Sequence, residues 1–346
     1  MSITLDRLQS FLQNCPRLTI GLIGDLFLDR YLELAPGAEE LSLETGLEAY
    51  QIERVRNSPG ALGTVMNNLA ALGAGRLLPV TVLGNDGHGY DLRRSLRHLP
   101  VDDRWIVLDE DRLTPTYTKP MRPVGPGRWE ELNRLDVRTR APLSATTTGR
   151  VCAALREVWN QAAGLIVLDQ VNECNAGVVN EEVRCCLAEL AAADPDKLMF
   201  IDSRSQLCHF GFGVVKGNQH EILSAACREA AEPLEIGPAA CALARRTHRP
   251  VFCTVGQDGI LVAKPDGTVR CVPGYTVSGP IDIVGAGDAA SSGIVVSLLS
   301  GGCEAEAAAV GNLVASITVQ QLGSTGTASP MEVVQRWHDQ YVPRQP

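Results

Sequence analysis

Near its C-terminal end the sequence runs Asp282-Ile-Val-Gly-Ala-Gly-Asp288 and then stays small and apolar to Ser300. The helical spacing after Asp288 predicts a loop feeding the N-terminus of a helix. The first amides of a helix have no partner within it, and the helix dipole is positive there. Gly285, Ala286 and Gly287 are small enough to let those amides approach an anion closely. The same residues also fit an ordinary helix start with Asp288 as a capping carboxylate, and by themselves they do not separate the two readings. Two other phosphate-handling patterns are missing. The chain has no Gly-Lys dipeptide, which a Walker-type loop requires. Its first strand ends in Gly24-Asp25-Leu26-Phe27, without the G-x-G-x-x-G of a dinucleotide site.

The elements that must position this loop alternate in type. Leu18–Gly24, Pro79–Gly84, Leu165–Asp169, Leu198–Asp202, Val214–Lys216, Val251–Val255 and Ile260–Ala263 read as strands. Asn67–Leu72, Asp91–His98, Val151–Ala163 and Glu181–Ala192 read as helices, and Gln257-Asp258-Gly259 as a turn. Short apolar strands separated by helices predict a mostly parallel sheet covered on both faces. Glu39–Arg56 and Arg104–Arg138 break the alternation with charged, aromatic and β-branched residues, and are expected to form small strands projecting as a lid. A single domain over 1–340 with a frayed tail from Tyr341 is expected.

With 346 residues, 45% of them hydrophobic, the chain can bury a large core. Its formal charge of -9 disfavours nucleic acid and anionic membrane as partners. Eleven cysteines without a C-x-x-C spacing, an odd number scattered through apolar stretches, are expected to be reduced core thiols of a cytoplasmic protein. Met1–Gln13 carries Leu5, Leu8, Phe11 and Leu12 at helical spacing and reads as a docked amphipathic helix, and no apolar run reaches the roughly 20 residues that span a bilayer.

Several short segments, in order along nearly the whole chain, together resemble the ribokinase-like (PfkB-type) carbohydrate kinases. They are Gly24-Asp25 with Leu28-Asp29-Arg30, Gly60-Ala-Leu-Gly63 through Asn68-Leu-Ala-Ala-Leu-Gly73, Gly84-Asn-Asp86-Gly-His-Gly89, Asn218-Gln-His-Glu221, Thr254-Val-Gly256-Gln-Asp-Gly259 and the segment ending at Asp288. Within the family, Leu28-Asp29-Arg30-Tyr31 and Leu322-Gly-Ser-Thr are most similar to the heptose-7-phosphate kinases.

The resemblance implies a three-layer α/β sandwich with a β lid, and transfer of a phosphoryl group from ATP to a sugar or sugar-phosphate hydroxyl. It implies Asp288 as general base, with the amides of Gly285, Ala286 and Gly287 as the anion hole. A carboxylate of ordinary pKa, about 4, would serve if placed in line. Asn218 and Glu221 are implied to hold Mg²⁺ through water, or else to cap a helix. Thr254, Gly256 and Gly259 are implied to flank the nucleotide, or to be a plain hairpin turn. Asn312 is implied near the adenine, or is an ordinary helix position. Asp282 is implied to help bind K⁺ or to brace the loop. On the sugar side stand Asp25, Asp29, Gly60, Thr64 and Asn68, with Asp29 and Arg30 equally able to form an ion pair. Lys119, Arg122 and Arg134 would bind a phosphate already on the sugar, or be solvated lid charges; Lys216 reads as a surface charge. The lid edges suit a homodimer.

The sequence also departs from the family. Ala61 and Thr64 stand where the family has a glycine and an asparagine, Ile283-Val284 where it has hydroxyl residues, Asp202-Ser203-Arg204 where the heptose kinases have Asp-Pro-Lys, and Gln170-Val-Asn172 where they have a tyrosine-containing loop. These changes cluster on the sugar side. They keep open a kinase of another acceptor, such as a nucleoside, and a non-catalytic sugar or nucleotide sensor. A nicotinamide-dependent oxidoreductase ranks below both because the fingerprint is missing.

Overall fold

The structure is a computed structural model, described over residues 2–138, 140–227, 234–323 and 325–341. The expected tail lies almost wholly outside these. Along the chain, α1 (Leu5–Asn14) leads into β1 (Thr19–Gly24). Then follow β2 (Leu26–Leu41), β3 (Glu48–Ala61), α2 (Leu62–Ala71), β4 (Arg76–Gly84), α3 (Gly87–Leu96) and β5 (Ile106–Asp109). Three short strands come next, β6 (Thr116–Gly125), β7 (Arg128–Glu131) and β8 (Leu135–Val137). The helical and parallel part resumes with α4 (Ala145–Gln161), β9 (Gly164–Asp169), α5 (Glu181–Ala193), β10 (Leu198–Ser203), β11 (Val214–Asn218), α6 (Gln219–Cys227) and α7 (Ile236–Thr247). It closes with β12 (Val251–Thr254), β13 (Ile260–Ala263), β14 (Val269–Val272), α8 (Ala286–Leu299), α9 (Glu304–Thr318) and α10 (Pro330–Tyr341).

Nine strands form the central sheet in the order β14-β13-β12-β11-β10-β9-β1-β4-β5. They run parallel except where β13 pairs antiparallel with β12 and β14. Alternate residues of one strand face opposite sides. Leu22 therefore joins a core with α1, α2, α8 and α9, while Ile23 joins a separate core with α4, α5 and α7. Near-continuous apolar strands in the sequence follow from burial on both faces.

Five strands, β2, β3, β6, β7 and β8, make a second, smaller sheet. The expected lid boundaries need correction. Its first two strands start at Leu26 and end at Ala61, well outside 39–56. Residues 106–109 of the second segment belong to the central sheet, where β5 pairs with β4. Strand periodicity does not reveal which sheet a strand joins.

Two strands of the small sheet, β2 and β3, are inserted between β1 and α2, and the other three between β5 and α4. The chain leaves β1 at Gly24, passes Asp25, and returns through Ala61, where the Leu62 amide donates to the Asp25 carbonyl at 3.0 Å. Ala61 turns this corner at φ 52° and ψ −113°, a region costly for any residue with a Cβ. Ala61→Gly should therefore stabilise the fold by about 1 kcal/mol, read as a higher denaturant midpoint with an unchanged m-value. An unchanged midpoint would mean that the corner relaxes.

No disulfide is formed among the cysteines whose side chains are described. Cys15, Cys186, Cys241 and Cys253 are buried as expected, but Cys174, Cys185, Cys271 and Cys303 are exposed. Scatter along a sequence does not distinguish an apolar neighbour in the chain from one in space.

Candidate active site

Asp25, Asn218 and Thr254 stand at the C-terminal ends of parallel strands, where open α/β sheets place their ligand sites. Register fixes the neighbours: Gly24 beside Leu168, Asp169 beside Ser203, Asp202 beside Lys216, and Asn218 beside Thr254.

Gly285 is the N-cap of α8 at φ 81°, in the left-handed region that glycine tolerates best. Ala286, Gly287 and Asp288 form the first turn, so their amides are among the four a helix leaves unpaired. Asp288 is half-buried. Burial and the nearby Asp202 carboxylate push its pKa up to about 7, against the opposing pull of Lys216 and Arg204 and with a further push from Glu221. The ordinary carboxylate expected from sequence is therefore corrected. It is an acid poised near neutrality, because three carboxylates share one partly dry corner.

Lys216 is not a surface charge. It is buried, with Nζ 2.8 Å from Asp202 Oδ2. Burial acts to discharge it, but Asp202 outweighs that and holds its pKa above the usual lysine value. The clue in the sequence was a charged residue within the apolar run Val214-Val215-Lys216, since a cation in a covered strand needs a buried partner.

Asn218 and Glu221 bond reciprocally at the start of α6. The Asn218 amide donates to Glu221 Oε2 at 2.7 Å, and the Glu221 amide to Asn218 Oδ1 at 2.9 Å. That is a helix-capping pair, and it presents oxygen ligands with a single carboxylate. Such a set fits a hard cation that arrives with its own waters and phosphate oxygens. Among the described residues no cluster of three or more His, Cys, Asp or Glu could hold a metal.

Asp282 Oδ1 accepts from the Val284 amide at 3.0 Å and Oδ2 from the Gly323 amide at 3.3 Å. Of its two expected roles, these contacts serve bracing. Thr254 ends β12, and Gly256 starts the tight turn into β13. A Cβ on Gly259 would meet the Val272 carbonyl at 2.2 Å. Asn312 donates to the Val272 and Pro273 carbonyls at 3.0 and 3.1 Å, so turn and helix brace the same strand end.

On the sugar side, Asp25 is 3% exposed. It accepts from the Val178 amide at 2.8 Å and the Gln170 amide at 3.2 Å, which ties down the loop after β9. Burial raises its pKa against those amides and Arg112. Burial and the charge of Asp25 also raise neighbouring Asp169, to about 7. Asp29 and Arg30 do not pair with each other: Asp29 pairs with Lys119 at 3.0 Å and Arg30 with Asp91 at 2.9 Å. A Cβ on Gly60 would lie 2.4 Å from Asp29 Oδ2, so glycine there makes room for that carboxylate. Thr64 packs its methyl against Gly285.

Asn68 is fully buried; its amide nitrogen donates to the Thr64 carbonyl one turn back in α2, while its Oδ1 is buried with no hydrogen-bond partner among the described residues. The three cations expected to take a phosphate each have a carboxylate already. Lys119 has Asp29, Arg122 has Glu48 at 3.3 Å, and Arg134 has Asp136 at 2.7 Å.

A nine-stranded α/β sheet with helices on both faces and a second small sheet is the ribokinase-like fold. Ribokinase from Arabidopsis thaliana complexed with ribose and ATP superposes with TM-score 0.64 at 15% identity, covering 92% of this chain and 98% of that one. Phosphofructokinase-2 from Escherichia coli, in complex with substrates and products, gives 0.66 at 17% identity, covering 93% and 99%. In sequence, residues 183–331 match the pfkB family carbohydrate kinase model. The bifunctional protein HldE of Geobacter metallireducens is 28% identical over 319 residues, which is 90% of this chain and 61% of that protein. The HldE of Gluconacetobacter diazotrophicus is 28% identical over 92% of this chain and 63% of its own length. The chain thus spans about three-fifths of the curated relatives it matches. No helix among the described residues is long and apolar enough to cross a membrane.

Proposed function

We propose that the protein transfers the γ-phosphoryl group of ATP to a hydroxyl of a sugar or sugar phosphate. The carrying observation is Asp288, a half-buried carboxyl with pKa near 7, set in the first turn of α8 beside the amides of Gly285–Gly287. Phosphoryl transfer needs charge stabilisation and alignment more than covalent help. The α8 amides and dipole supply the first for the transferring group. Asp288 accepts the proton of the attacking hydroxyl, and a base near pH 7 is well matched to that task. Mg²⁺ would be held by Asn218 and Glu221 through water and would neutralise phosphate charge. Thr254, Gly256, Gly259 and Asn312 shape the nucleotide side. Asp25, Asp29, Gly60 and Thr64 shape the sugar side, with the small sheet as a lid that excludes water.

The names of the relatives, which include a ribokinase bound to ribose and ATP, support a sugar as acceptor. ADP release measured over a panel of sugars, sugar phosphates including sedoheptulose- and heptose-7-phosphates, and nucleosides tests this. Turnover with a sugar or sugar phosphate is expected. Turnover with nucleosides alone would overturn the acceptor class, and silence throughout would overturn the activity.

The small sheet also supports a homodimer. β3 is an edge strand, and Leu41, Leu43, Leu47, Tyr50, Ile52 and Val55 are exposed on it or beside it. An open edge with apolar side chains invites a second copy. Sedimentation should give a dimer at micromolar concentration and a monomer for Ile52→Lys. A monomer for both chains would remove this proposal.

A further inference from the structure

The buried pair of Asp202 and Lys216 has no evident role in folding. The two face each other in register across β10 and β11, and both side chains are 6% exposed. Phe200 and Val214, on the same face of the two strands, are buried and apolar, and the Asp288 and Glu221 carboxylates act on the ammonium from nearby. Removing two charges from water costs free energy that their attraction only partly returns, so apolar residues of similar size usually serve a core as well or better.

The contacts of the pair point to α8. Ser291, fully buried in the second turn, has its hydroxyl 3.0 Å from Asp202 Oδ2 and 3.0 Å from the Gly287 carbonyl, so its one proton is shared between them. From the other side, Lys216 Nζ lies 3.0 Å from the place a Cβ on Gly287 would occupy. The helix turn that carries Gly287 and Asp288 is thus hooked to β10 through Ser291 and packed on the ammonium from β11. A side chain at 287 would crowd that ammonium.

We infer that Asp202, Lys216 and Ser291 are positioning residues, which fix the Gly285–Gly287 amides and the Asp288 carboxyl relative to the central sheet. The inference rests on the kinase reading above. The three residues act through the turn they hold: a shift of the turn misaligns acceptor, base and phosphoryl group together, while the surfaces that bind nucleotide and sugar stay in place.

The test is steady-state kinetics and thermal melting of the full chain, using ATP and whichever panel sugar the original chain turns over. The double variant Asp202→Leu with Lys216→Met replaces the pair by apolar side chains of similar size. It should melt no lower than the original chain, yet lose about 100-fold in kcat with both KM values moved less than about threefold. Ser291→Ala, which removes the hook and keeps both charges, should lose about tenfold in kcat with the same KM pattern. Asp288→Asn is run alongside. A double variant that keeps its kcat while Asp288→Asn is inactive overturns the positioning role and leaves the kinase reading standing. An original chain that releases no ADP with any acceptor overturns both. If the double variant fails to fold, Ser291→Ala decides alone, and an unchanged kcat in it overturns the inference.

Discussion

Asp288→Asn is expected to lower kcat by about three orders of magnitude or more, the scale of removing a positioned general base. Asn keeps the shape and the N-terminal place on α8 but accepts no proton. KM for ATP should hold, because the amides of Gly285–Gly287 are backbone and survive the change. The same variant should be more stable than the original chain. The folded-state pKa of Asp288 is raised to about 7, so at neutral pH the fold holds a carboxylate that unfolding would relieve. Below its unfolded pKa, near 3.8, the group is neutral in both states and the substitution gains nothing. The stability gain should grow as pH rises from there and level off above about 7. A variant that is both inactive and less stable at pH 8 would place Asp288 in the architecture and outside the chemistry. Unchanged turnover would overturn the mechanism.

The second large effect is on pH. The base works only when ionised, so activity is present above the folded-state pKa and lost below it. With that pKa near 7, kcat/KM should fall tenfold per unit on the acid side and stand about 100-fold below its plateau at pH 5. The cause is burial first, then Asp202, with Glu221 adding and Lys216 and Arg204 opposing. Bound triphosphate adds negative charge at this corner, so the acid limb of kcat should lie at higher pH than that of kcat/KM. A profile flat between pH 5 and 8 would mean that proton transfer is not part of the rate-limiting barrier.

Much of the fold was legible because apolar strands and amphipathic helices differ in period. Val151–Ala163 and Glu181–Ala192 fall within α4 and α5 or end one or two residues beyond them, and Ile260–Ala263 is β13 as read. Motifs were legible as motifs, but several do structural work. In Gly84-Asn-Asp86-Gly-His-Gly89, Asp86 caps α3 through the Gly89 amide and takes the Thr114 amide with its other oxygen. A Cβ on Gly84 would strike the Arg112 carbonyl at 2.2 Å. What sequence order did not show was pairing across strands. Lys216 reads as a surface charge until register puts Asp202 beside it. Lys119 and Arg122 read as free cations until Asp29 and Glu48 reach them from other strands of the small sheet. Asp288 was found by spacing, but its acidity was not, since that depends on which carboxylates the fold brings near.

Helix α2 hangs directly from the returning strand of the small sheet at Ala61, and three residues on, its Thr64 methyl rests against Gly285. One rigid rod therefore joins the sheet that would meet the acceptor to the cap of the helix that would meet the phosphate. A swing of that sheet about the corners at Asp25 and Ala61 would press or release the α8 mouth directly. Under the kinase reading, the occupancy of one substrate would thereby be reported mechanically to the other, which would hold back the splitting of ATP by water until an acceptor has docked.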